Sequence, residues 1–560
     1  MASTEKILIY QVLPRLFGNR NTANRVNGTI AENGCGKFRD FDTRPLRRIR
    51  EMGFTHVWYT GVIRHATKSD YSRYGIPRQH SAIVKGNAGS PYAIVDYYDV
   101  DPDLAVDVEN RMGEWESLIE RTHRAGLKVV MDFVPNHVAR EYQSIAKPDG
   151  VDDLGAHDDT AKHFSAENNF YYCWGQPFEP LFNVGDYKEV PAKATGNDRF
   201  DNHPGCDDWY ETVKLNYGID YCDAGGRSEH FSPEPDTWRK MLQILHFWAS
   251  KGIDGFRCDM AEMVPTAFWA YAIEDIKRIY PSILFIGEVY NPALYRAYLM
   301  AGFDYLYDKV GMYDCLRDIV CHRRPASDIT RQWQSVDDIR DHMLYFLENH
   351  DEQRIASDFF IGNARAAIPA VAVSLLMGNN PYMHYAGQEY GEKGMEQEGF
   401  SGRDGRTTIF DYWSVDTLRR GFYDRRALTK EERHLEEYYS RLLHIAAKGT
   451  VCKGDFFDLM YANLNTPHFD AEHHYAFLRK TEDELLIVVA NFSDSSAECH
   501  VLLPRHAIEC LGLPIGESVG RDLLTGKQVQ LTLQPDKAVI VKIPSFGVSI
   551  YSVEVVSERE

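Results

Sequence analysis

The sequence predicts an α/β protein built on a (β/α)8 TIM barrel, with a subdomain inserted after the third strand and a C-terminal all-β sandwich. Three observations predict it. Eight apolar, β-branched bursts recur between stretches with helical spacing, which is the count a closed barrel needs. The interval between the third and fourth bursts is far longer than a βα loop and is rich in Asp, Asn, Gly, Pro and aromatic residues. From about Gly449 the spacing changes to short alternating strands, YAFLRK, LLIVVANF, VQLTLQ and AVIVKIP, separated by turn residues.

The bursts run Ile7 to Leu13, His56 to Tyr59, Lys128 to Phe133, Gly255 to Cys258, Leu284 to Gly287, Tyr305 to Asp308, Met343 to Leu347 and Pro381 to Tyr385. Helices are expected between them at Thr43 to Met52, Asn110 to Ala125, Pro235 to Ser250, Thr266 to Ile279 and Ala364 to Leu376. The second has apolar positions three and four apart and stops at Gly126, where a helix C-terminus favours glycine. The barrel is therefore expected over 1–137 and 217–448, the insertion over 138–216 and the sandwich over 449–560. After the eighth burst the stretch Gly391 to Arg406 is charged and glycine-punctuated, which suits either a lid or an ordered surface excursion. A further helix is expected near Glu432 to Lys448.

Lys plus Arg total 62 against 82 Asp plus Glu, a net charge of −20, so most of the surface repels a polyanion and a nucleic-acid partner is not expected. A neutral substrate meets no such barrier. The ten cysteines are scattered without a CxxC pair, which fits free thiols in a reducing compartment. No apolar run is long enough to span a bilayer, and Met1, Ser3, Thr4, Glu5 and Lys6 lead directly into ILIYQVL without a leader pattern. A cytoplasmic location without membrane contact is the expectation.

Four short segments place acid, amide or imidazole groups just past an apolar stretch: DFVPNH at Asp132 to His137, GFRCD at Gly255 to Asp259, GEV at Gly287 to Val289 and ENHD at Glu348 to Asp351. In a (β/α)8 barrel such groups converge on the rim at the carboxyl ends of the strands, where this fold carries its chemistry. Arg257 and Asp259 are two apart on one strand and point the same way, so the guanidinium should lower the pKa of the carboxyl and keep it ionised. Glu288 follows the apolar LFIG, and apolar surroundings favour the protonated form that a general acid needs. Two carboxyl groups in contrasting environments are what glycosidic bond cleavage through an oxocarbenium-like state requires. Asp351 adds a third.

These segments, together with HYAGQEYGE at the eighth burst and YQVLPRLF at Tyr10, resemble the short sequence regions of the α-amylase superfamily, glycoside hydrolase family 13. The likeness extends from Tyr10 to about Trp413. It implies that Asp259 is the catalytic nucleophile, Glu288 the general acid/base and Asp351 the aspartate that stabilises the transition state. It implies also that Arg257, His137 and His350 hydrogen-bond the sugar at the cleaved bond, and that Tyr92 in SPYAIVDYYDVDP is the platform beneath that ring. The implied substrate is an α-glucan oligosaccharide, cleaved with retention at α-1,4 bonds. A transglycosylase or sugar isomerase with the same residues, or a non-catalytic carbohydrate-binding relative, would share the motifs.

One departure stands out. Many relatives hold calcium between barrel and insertion with the asparagine of the first motif and an aspartate in a PDLN-like segment. The corresponding stretch here is VKLN, with Lys214 in place of the aspartate and Met263 where such relatives often carry histidine. An ammonium cannot ligate a hard cation, so no metal and no cofactor are expected, and Asn136 should instead pin a loop. Of the aromatic residues in the insertion, Tyr171, Tyr172, Trp174, Phe178, Trp209 and Tyr210 are candidates for stacking on sugar, and most of them should form its small core.

Overall fold

The computed structural model of the protein describes residues 5–555, so Met1, Ser3 and Thr4 lie outside the described residues. Eight parallel strands close the barrel in chain order: β1 (Leu8–Val12), β2 (His56–Tyr59), β3 (Lys128–Phe133), β4 (Gly255–Cys258), β5 (Leu284–Gly287), β6 (Tyr305–Tyr307), β7 (Met343–Phe346) and β8 (Tyr382–Tyr385), with β8 pairing back onto β1. The expected fold class is therefore the one observed. Helices Thr43–Met52, Arg111–Arg124, Asp236–Ala249, Thr266–Ile279 and Ile368–Leu376 pack around the strands.

Strand side chains alternate between two environments, as the period of two requires. Ile9, Trp58, Val130, Ile286, Leu344 and Met383 form one buried cluster inside the barrel. Their neighbours Leu8, Val57, Val129 and Phe285 belong to the larger core beneath the helices. The inward series continues upward from Ile9 to Gln11, from Val130 to Asp132 and from Ile286 to Glu288, while Arg257 is level with Asp132 on one side and Ile286 on the other. The register that fills the barrel with aliphatic side chains thus delivers polar ones to its rim.

Two long connections build over that rim. After β2 the antiparallel pair Ile63–His65 and Ile94–Val100 forms, with Tyr92 just before its second strand. After β3 the insertion is fastened to the barrel by the antiparallel pairing of His137–Ala139 with Thr212–Lys214. Near the other end of the chain, a six-stranded antiparallel sheet combines Asp455–Asp458, His474–Lys480, Glu484–Asn491, Gly547–Glu554, Gly516–Asp522 and Gln528–Leu533, and Ala497–Leu503 pairs with Lys537–Ile543 beside it. The helix preceding these sheets spans Lys430–Ala446, opened by a Thr429/Glu432 capping box. No helix among the described residues is long and apolar enough to cross a membrane, and all ten cysteines are free thiols.

Candidate active site

Above the barrel lies a cavity of about 320 Å³ whose lining includes Tyr92, His137, Asp259, Glu288 and Asp351. Five of the seven site residues expected from sequence therefore share one wall. The remaining two, Arg257 and His350, are buried directly behind it. Arg257, only 1% exposed, donates from Nη1 to Asp259 Oδ1 at 2.8 Å, while its Nη2 lies 2.8 Å from Glu288 Oε2. Its Nε donates to the Tyr307 hydroxyl at 3.1 Å, and the guanidinium lies over the rings of Trp58 and Tyr92. One planar cation thus holds two carboxylates in fixed positions, with Asp132 a third at 3.6 Å.

The direction of the pKa shift at Asp259 differs from the expectation. Arg257 does act to lower its pKa, but burial is the larger effect, and Glu288, Asp132 and Asp351 repel a further negative charge, so the net direction is upward. Asp132 is pushed up to about 7, again by burial, in spite of Arg257 and the Trp58 indole bond of 3.1 Å. Nor is Glu288 in apolar surroundings. Besides Arg257, the Tyr290 hydroxyl donates to its Oε1 at 2.5 Å and the Met260 amide to its Oε2 at 2.8 Å. The apolar character of LFIG is spent on the barrel packing, with Phe285 facing the helices and Ile286 the interior.

Asp351 lies 3.0 Å from His350 Nε2, and the Arg406 Nε donates to its backbone carbonyl at 2.6 Å. Burial raises its pKa, opposed by Arg257 and Arg406. His350 is held between Gln11, 2.7 Å from Nδ1, and the Tyr92 hydroxyl, 2.5 Å from Nε2, with the Tyr92 and His350 rings stacked at 5.3 Å. Burial pushes both His350 and His137 down to about 3, helped by Arg257 at the first and by Lys214 and Lys85 at the second. Both imidazoles are therefore neutral donors and acceptors at physiological pH, suited to sugar hydroxyls rather than to anions.

Of the insertion's aromatics only Trp209 reaches the cavity, its ring 5.3 Å from that of His137. Tyr171, Tyr172, Phe178 and Tyr210 are buried in the insertion, and Trp174 is 60% exposed away from the cavity lining. Residues that sequence reasoning did not single out also line the wall, among them Lys85, Ser90, Glu211, Met260, Tyr290 and Phe410. Tyr290 was within reach, because it sits only two residues past Glu288, whose Oε1 its hydroxyl meets.

The Lys214 ammonium is buried between barrel and insertion. It bonds the side-chain oxygen of Asn136, the Met263 carbonyl at 3.3 Å and Asp198 Oδ1 at 2.7 Å. The amide nitrogen of Asn136 donates to the Gly196 carbonyl at 2.8 Å. These residues do not fit a divalent cation at that place, since a fixed positive charge already takes the oxygen atoms that would ligate it.

A closed parallel barrel carrying three carboxylates, an arginine clamp and neutral histidines around a small cavity defines a carbohydrate-processing site of the barrel hydrolases. The sequence matches the family model of the alpha amylase catalytic domain over residues 11–437, and the chain belongs to that family as one of its glycoside hydrolases. It is similar to neopullulanase 2 of Thermoactinomyces vulgaris, 22% identical over 96% of this chain and 77% of that one. Similarity to the oligo-1,6-glucosidase of Parageobacillus thermoglucosidasius, 22% identical, covers 46% of this chain and 35% of that one. Among solved structures, the maltogenic α-amylase AmyB of Thermotoga neapolitana superposes with a TM-score of 0.62 at 19% identity over 98% of this chain and 99% of that chain. A Nostoc punctiforme debranching enzyme soaked with acarbose gives 0.64 at 17%, over 99% of this chain and 98% of that chain.

Proposed function

We propose that the protein hydrolyses α-1,4-glucosidic bonds in maltodextrins and related starch-type glucans by double displacement with retention. The observation that carries this reading is the Arg257 clamp, which holds Asp259 and Glu288 on one guanidinium. Retention needs the two carboxyl groups about 5–5.5 Å apart, against about 6.5–9.5 Å for inversion, and a shared cation favours the shorter span.

In this reading Asp259 attacks the anomeric carbon while Glu288 gives its proton to the departing oxygen, leaving a glycosyl ester on Asp259. Glu288, now ionised, takes a proton from water, whose oxygen displaces Asp259 and restores both groups. The charge of Asp351 stabilises the oxocarbenium-like state in each half-reaction. Tyr92 lies beneath the ring, and His137, His350 and Arg257 bond its hydroxyls. A substrate without charge suits an acidic surface, and a cytoplasmic setting suits ten free thiols.

The test is incubation with maltoheptaose, with anomers followed by proton NMR and products by chromatography. Shorter reducing sugars released first as α-anomers are expected. Initial β-anomers would overturn retention, and longer oligosaccharides or isomers would replace hydrolysis with transglycosylation or isomerisation.

A further inference from the structure

We infer that the Lys85–Glu211 ion pair closes the glycone end of the cavity, so that the enzyme seizes free non-reducing ends and releases a short terminal unit instead of cutting within a chain. The inference rests on the hydrolase reading above, which assigns the side of Tyr92 and His137 to the glycone and the side of Glu288 to the leaving group. Lys85 and Ser90 precede Tyr92 on one segment, and Glu211 follows Trp209, whose ring lies beside that of His137, so both members of the pair belong to the glycone side.

Three separate segments meet there. Lys85 Nζ lies 3.0 Å from Glu211 Oε2 and donates to the Asp208 carbonyl at 3.2 Å, joining the segment before Tyr92 to the insertion. On its other side that segment abuts the stretch after β8, where Ala88 N donates to the Phe410 carbonyl at 3.0 Å. At Gly86, with φ of +64°, an added Cβ would lie 2.1 Å from that same carbonyl oxygen. Only glycine permits so close an approach in that conformation. A wall joined at these points stands where a longer chain would have to pass, and about 320 Å³ is at the small end of ligand cavities, which start near 300 Å³.

The pair is a poor choice for a mere brace. Lys85 is 8% and Glu211 4% exposed, and burying two charges costs more than a packed apolar contact would. Facing the cavity, they have a use. The ammonium pairs with Glu211, donates to the Asp208 carbonyl and lies over the Tyr210 ring at 5.1 Å, and with three protons it has donor capacity for a hydroxyl of the terminal sugar.

The experiment compares maltoheptaosides whose non-reducing end is free or capped as the 4,6-O-ethylidene acetal, with all products separated by chromatography. The free substrate should yield glucose or maltose as its first small product, and the capped one should react at least about 100-fold more slowly, because a closed polar site rejects a sugar that cannot pair with it. The double substitution Lys85→Ala with Glu211→Ala should narrow that ratio at least about tenfold by opening the wall. The wild-type comparison stands alone if that variant fails to fold. Equal rates on both substrates, or products from the middle of the chain, would overturn the closed end while leaving hydrolysis intact. Reaction with neither would overturn the hydrolase reading and this inference with it.

Discussion

Arg257 shows how a single residue both makes and constrains the site. Three carboxylates surround its buried guanidinium, and each gains from the shared cation some of what burial takes away. Asp259→Asn keeps a side-chain oxygen for Arg257 but cannot form the ester, so circular dichroism and sugar binding should be preserved while turnover falls at least about a thousandfold. Turnover near that of wild type would remove Asp259 from the reaction. Of the residues that sequence disclosed, Asp259, Glu288, Asp351, Arg257, His137 and His350 lie in segments where acid, amide or imidazole groups end an apolar stretch, whereas Tyr92 came from the likeness of SPYAIVDYYDVDP to a family segment. Lys85 and Glu211 gave no such signal, since their meaning comes from a contact between segments far apart in the chain. Trp58 and Tyr307 were hidden differently. Each sits inside an apolar burst, and only knowing which face points into the barrel makes it part of the site.

At the scale of elements, the bursts that become β1 to β8 were legible because parallel strands buried on both faces read as continuous apolar runs. The strand Ile94–Val100 defeats the same logic. All seven residues are buried, yet IVDYYDV contains Asp96 and Asp99, which are neutralised by Arg64 at 3.1 and 3.3 Å and by Arg111 at 2.7 Å. Its charges belong to the core and not to a loop. Strand β2 hides a comparable cost in His56, which is buried, has an unbonded Nε2 and is pushed down to about 3 by desolvation. In the unfolded chain the same imidazole titrates near 6.5. The folded state therefore lacks a proton that the unfolded state binds between those values, and the stability present above about pH 6.5 is lost as the pH falls towards 3. His56→Gln removes that proton uptake. Acidification from pH 6.5 to 5 should cost the variant about 2 kcal/mol less than wild type, measured by urea denaturation at each pH. Equal losses in both proteins would show that His56 is not neutral in the folded state.

Over the whole molecule, the barrel and the insertion must act as one body, because the cavity wall takes Tyr92, Trp209 and Phe410 from three different excursions. Lys214 is placed to hold two of these parts together. It lies on the strand that pairs the insertion with His137–Ala139, and its ammonium reaches Asn136 after β3, Met263 after β4 and Asp198 within the insertion. Burial lowers its pKa, and the pairing with Asp198 offsets part of that shift. A divalent cation at that position would meet repulsion from the ammonium and find the Asn136 oxygen already taken. Activity and folding should then be independent of calcium: excess chelator should leave the melting temperature and the rate on maltoheptaose unchanged. Lys214→Ala, by contrast, strands buried acceptors, each worth about 1–3 kcal/mol, and should lower stability with a matching loss of the insertion's attachment, seen as faster proteolysis within 138–216. A fall in both melting temperature and rate on chelation, reversed by added calcium, would show that a metal and not the lysine joins the insertion to the barrel. An unchanged Lys214→Ala variant would show that the strand pairing with His137–Ala139 suffices by itself.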